Sequence, residues 1–146
     1  MTQRSRGGAK RRTRSAENGI YLSDGTDYTY QGTDGIELAD GIRQKVLQTA
    51  TRAGAALIEI HSHGASPWPA AFSRTDLLGL QLVAPQMLWR LPGRPYIAIV
   101  IQEGGADALV WTAKHTPPVV PEMMVFGGKT IRPTGLSAIR LERGVA

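Results

Sequence analysis

The sequence predicts an α/β (α+β) fold in which helices flank a mixed β-sheet, and three observations carry that prediction. In LADGIRQKVLQTATRAG, residues 38–54, Ile42, Val46, Leu47, Ala50 and Ala53 recur at helical spacing. Directly after it, AALIEIHSH at 55–63 is short, centred on isoleucine and preceded by a terminated helix, which reads as a strand. Finally, RPYIAIVIQ and ADALVWTA are separated by EGG, the pattern of a β-hairpin.

The remaining elements fall in order around these. ENGIYLSDGTDYTYQGTDGIEL, residues 17–38, reads as strands broken by the turn signals SDG and TDG, with Tyr21, Tyr28 and Tyr30 supplying β-prone aromatics. In the helix that follows, Asp40 is placed to cap the start and Gly54 to end it. GASPWPAAF holds two prolines and is a loop, after which a helix begins at Ser73 and runs through TDLLGLQLV toward Pro85. PGRP at 92–95 is a turn. Beyond TPPVVP, the segments MMVFGGKTIRP and LSAIRLE are expected as short terminal strands around a Gly-Gly turn.

At 146 residues the chain has room for one ordinary domain, and 42% hydrophobic with 20% charged residues is a globular composition. We expect a basic, flexible arm at 1–15 and a single domain at 16–146. The arm carries six basic residues and no acid; the seventeen basic residues of the chain less these six leave eleven against twelve acidic, a net charge of −1. Nucleic acid is therefore expected to meet only the arm, nonspecifically. The longest apolar run, YIAIVI, is far too short to span a membrane. The absence of cysteine, and of an apolar stretch behind the basic terminus, fits a cytoplasmic protein.

Two of the three histidines fall in HSHGASPWPAAFSRTD, residues 61–76. On a strand, side chains at 59, 61 and 63 share one face, so His61 and His63 point the same way about 7 Å apart along the chain. That spacing suits two ligands of one metal, and Asp76 can close a third position if the loop folds back over the strand end. Two histidines and a carboxylate leave the open fourth position of catalytic zinc, an ion that makes water acidic and polarises a carbonyl. Ser73-Arg-Thr-Asp76 also matches the S/T-x-x-D/E helix start, in which the serine and the acid bond reciprocally to the first turn. Residue chemistry leaves both readings open.

The string H-S-H, loop, S-x-x-D resembles the metal signature of the JAMM, or MPN+, metalloproteases, and specifically their small prokaryotic JAB-domain branch, over roughly residues 17–112. The resemblance implies a JAB/MPN-like, cytidine-deaminase-like sandwich, trimmed at the N-terminus. It implies that His61, His63 and Asp76 bind Zn2+ and that Ser73 bonds the oxyanion of the tetrahedral intermediate. The reaction implied is hydrolysis of the C-terminal amide or isopeptide bond of a ubiquitin-like protein. The implied partners are that protein or its conjugates, and other proteins of a ubiquitin-like conjugation operon. Nine residues, Gly64 to Phe72, separate the second histidine from the serine where the family commonly has seven, and Gly64 stands where proline is common.

The family also uses a glutamate on an earlier strand as general base. Glu17, 44 residues before His61, is the candidate, with Glu59 as the alternative base or as the partner that holds an imidazole. Two other readings compete. One is a non-haem iron enzyme, although its ligands usually run H-x-D or H-x-E with a distant histidine. The other is a noncatalytic module of the same fold that binds a ubiquitin-like protein. Trp68 and Pro69 either pack the loop or flank an extended substrate tail.

Overall fold

The computed structural model describes residues 25–31 and 36–144. Among these residues it shows a mixed α/β fold of three α-helices and three sheets. The strands β1 (Tyr28–Gln31) and β2 (Ile36–Leu38) form an antiparallel pair, where the turn signals placed them. The strand expected around Tyr21, the arm at 1–15 and Glu17 lie outside the described residues.

Helix α1 (Asp40–Ala53) buries Leu47 and Ala50 and ends at Gly54, whose φ of 59° is the left-handed conformation glycine adopts without penalty. Asp40 is the first helical residue rather than the cap. Ala39 holds the cap position and makes no side-chain bond there. A carboxylate at Asp40 still faces the positive end of the helix dipole, so the residue type suits the place at either position.

Three residues later the chain enters β3 (Leu57–Ser62), crosses through α2 (Arg74–Arg90) and returns as β4 (Tyr96–Gln102), which turns at Glu103-Gly104 into β5 (Gly105–Trp111). The sheet order is β3-β4-β5, with β3 parallel and β5 antiparallel to β4. One face of this sheet, carrying Tyr96, Ala98, Val100, Leu109 and Trp111, packs with Leu47 and Ala50 of α1 and with Leu77, Leu80, Ala84, Met87 and Leu88 of α2. Tyr96 and Trp111 are cross-strand partners with ring centroids 5.6 Å apart, an aromatic pair that adds about 1 kcal/mol to the area it buries. On the other face Ile58 and Ile60 of β3 remain half exposed.

Two elements differ from expectation. Helix α2 does not stop before Pro85 but continues to Arg90. The turn beyond the proline carries Met87 and Leu88 into the core, and that burial offsets the single backbone bond that proline forfeits. LSAIRLE is not a strand but the helix α3 (Leu136–Glu142). Ala138 and Leu141, three apart, meet the core from one helical face. The expected hairpin at the Gly-Gly turn is present as β6 (Met124–Phe126) and β7 (Lys129–Ile131). No helix among the described residues is long and apolar enough to cross a membrane.

Candidate metal centre

Strand β3 delivers the histidines. Its parallel ladder to β4 runs one residue past Ser62, because the His63 amide donates to the Ile101 carbonyl at 3.0 Å. His61 and His63 therefore keep strand alternation and share a face. At Gly64 the chain leaves the sheet with φ of 67°, a path closed to proline, whose ring locks φ near −65°. Gly64 is thus the residue type this turn requires.

The loop returns through Ala70, Ala71 and Phe72, all buried, and its backbone polar groups are met by side chains from distant elements. Gln102 accepts from the Ala71 amide at 3.0 Å and donates to the Trp68 carbonyl at 3.3 Å. Thr134 donates its hydroxyl to the Ala70 carbonyl. Trp68 itself does not pack the loop: it is 76% exposed, beside a cleft of about 270 Å³ that also takes in Pro69 and Glu103.

The loop ends in a complete capping box. The Asp76 amide donates to Ser73 Oγ at 3.1 Å, and Asp76 Oδ2 accepts from the Ser73 amide at 2.8 Å and from its hydroxyl at 2.6 Å. The same Oδ2 also faces the histidines, lying 3.0 Å from His63 Nε2 and 3.7 Å from His61 Nε2. The two Nε2 atoms are 3.1 Å apart. One oxygen thus stands at both positions, and with two lone-pair sites it can keep the Ser73 amide and take a cation once the Ser73 hydroxyl turns away.

A proton satisfies this triangle only as one shared, three-centre bond. His63 Nε2 has one in-plane site, holding either a hydrogen or a lone pair, yet it faces both a carboxylate oxygen and a second imidazole nitrogen. A single cation answers all three donors. On a tetrahedral ion with bonds of about 2.0–2.1 Å, donors stand about 3.3–3.4 Å from one another. The observed 3.1, 3.0 and 3.7 Å bracket that edge, so His61, His63 and Asp76 form a group that could hold a metal ion. The three side chains are 21%, 28% and 24% exposed, which leaves the cluster open to water on one side.

Burial of Asp76 raises its pKa, but the facing His61 imidazole and the hydrogen bonds from the Ser73 hydroxyl and amide outweigh it. The carboxyl is held well below the usual carboxylate range, so the ligand oxygen is anionic at any physiological pH. Glu59 shares the strand face with the histidines, but its Oε2 accepts from the Tyr96 hydroxyl at 2.9 Å, and no hydrogen bond joins it to either imidazole. Gln102 and Thr134 were not legible as site residues, because their loop partners lie 31 and 64 residues away and no local pattern links them. A scan of family models finds no match to the chain, and searches of the curated proteins and of the solved structures find none either.

Proposed function

We propose that the chain is a zinc-dependent metallopeptidase or isopeptidase of the JAMM type, on a JAB/MPN-like sandwich, cleaving the C-terminal amide or isopeptide bond of a ubiquitin-like protein. The observation that carries the reading is the triangle of His61 Nε2, His63 Nε2 and Asp76 Oδ2, with edges of 3.0 to 3.7 Å. Two nitrogens and one carboxylate oxygen with an open side are the donor set of catalytic rather than structural zinc.

When bound, zinc supplies Lewis acidity that activates water and polarises the scissile carbonyl. The remaining work falls to side chains. Ser73, whose hydroxyl borders the cluster, turns from Asp76 to donate to the developing oxyanion. Glu17 moves the proton from the attacking water to the leaving amine. An extended substrate tail has two features to use: β3 is an edge strand among the described residues, and the exposed Trp68 borders the cleft next to the loop. The setting in this reading is cytoplasmic, alongside the other proteins of a ubiquitin-like conjugation operon.

The test is metal content by elemental mass spectrometry, with His61→Ala alongside, followed by cleavage of ubiquitin-like fusions. Near one zinc per chain, lost in the variant, supports the centre, and cleavage supports the enzyme. Zinc without cleavage favours the binding module, iron favours a non-haem iron enzyme, and no uptake of offered zinc leaves Ser73 and Asp76 as a helix cap only.

A further inference from the structure

We infer that the short C-terminal helix α3 is a brace for the three-donor cluster, with Asp107, Ser137 and Arg140 as positioning residues that hold Phe72, and through it the Ser73–Asp76 helix start, against His61. The inference rests on the metal reading of that cluster.

Asp107 lies on β5 with no exposed surface. Its Oδ1 accepts from the amides of Ala108 at 3.0 Å and Gly135 at 2.9 Å, and its Oδ2 accepts from the Ser137 amide at 2.9 Å. Gly135 occupies the N-cap of α3 and has no side chain to offer, so a strand carboxylate 28 residues away supplies the cap instead. This fixes where Ser137 sits.

Ser137, also fully buried, accepts from the Phe72 amide at 2.9 Å, and Arg140 donates to the Phe72 carbonyl at 2.6 Å. Residues 137 and 140 are three apart and share one face of the helix. Both main-chain polar groups of Phe72 are thus held by α3. Phe72 immediately precedes Ser73, and its buried ring stands 5.5 Å from the His61 ring, centroid to centroid. One residue therefore ties the loop that ends at Asp76 to the imidazole that Asp76 must meet. A loop with two prolines and no regular hydrogen bonding has no ladder of its own to set that distance.

The test is the affinity of the full chain for Zn2+ and Co2+, measured by chelator competition well below each variant's melting temperature, with the visible spectrum of bound Co2+ as a report on ligand geometry. Ser137→Ala and Arg140→Met are expected to weaken binding about tenfold or more and to change the Co2+ spectrum, the scale seen when groups that orient a ligand are removed. Arg140→Lys, which retains a donor, recovers most of the loss. Leu141→Ala removes core packing from the same helix but leaves both hydrogen bonds to the Phe72 main chain in place, so it lowers the melting temperature and leaves affinity unchanged. Wild-type affinity and spectrum in Ser137→Ala and Arg140→Met overturn the brace while the metal centre stands, as does an equal loss of affinity in Leu141→Ala. A wild-type chain that binds neither metal overturns both.

Discussion

The Ser73 hydroxyl stands 2.6 Å from Asp76 Oδ2, the oxygen that also lies 3.0 Å from His63 Nε2. The start of α2 and the donor cluster are therefore a single arrangement: the bonds that begin the helix also aim the carboxylate at the histidines. A ligand carried on a capped helix start is held more rigidly than one carried on the loop that precedes it.

That double use separates under substitution. Asp76→Asn keeps an oxygen able to accept from the Ser73 amide but loses the charge, so most of the cap survives and metal affinity does not. Asp76→Ala loses both, and the missing half of the capping box costs about 1 kcal/mol of stability while the Ser73 cap itself remains. Urea unfolding of the metal-free proteins, with metal content measured in parallel, should place Asp76→Asn near wild type in stability and near Asp76→Ala in metal. Full zinc in Asp76→Asn would remove the carboxylate from the ligand set.

Glu17 and Glu59 divide by activity. With Glu59 occupied by the Tyr96 hydroxyl, the proposed base is Glu17. Glu17→Gln should keep its zinc and lose cleavage by about 100-fold or more, the usual yield of a positioned acid or base. Glu59→Gln should stay within a few-fold of wild type. The reverse pattern in a steady-state assay on one fusion substrate would transfer the role to Glu59.

The bond between Tyr96 and Glu59 carries its own pH signature. Burial first, and then the charge and hydrogen bond of Glu59, hold the Tyr96 phenol far above its ordinary value. The folded state keeps a proton that the unfolded chain releases near pH 10. Its contribution to stability is thus fully present below pH 10 and is lost as pH rises above it, at about 1.4 kcal/mol per pH unit. Tyr96→Phe lacks that proton. It should be about 1 kcal/mol less stable at pH 8 through the lost hydrogen bond, with the gap to wild type closing above pH 10 in urea titrations.

What the sequence made legible was whatever rests on neighbours. The helix ending at Gly54, the strand before His63, the hairpin around Glu103-Gly104 and the Ser73–Asp76 cap are each set within a few residues. The shared face of His61 and His63 was readable from strand alternation, and Asp76 from its place at a helix start; that the loop folds back to join them was a condition the spacing left open. The identity of α3 was not, because its cap comes from Asp107, and seven residues offer too little periodicity to separate helix from strand. Nor were the loop's anchors: Ser137 and Phe72 are 65 residues apart, and only the fold brings them together.

Pro85 shows the same limit from the side of stability. Local rules end a helix there, whereas the burial of Met87 and Leu88 carries α2 past it. The proline is then a cost that the core tolerates. Pro85→Ala restores an amide at a position that is already helical and gives up only the stiffness proline lends the unfolded chain, so the helix gains more than the unfolded state does. We expect a net stabilisation of about 2 kcal/mol in urea unfolding, with zinc content unchanged because the cluster sits at the opposite end of α2. A destabilised Pro85→Ala variant would mean that the proline ring fills space in the core that alanine leaves empty, at a cost larger than the recovered hydrogen bond.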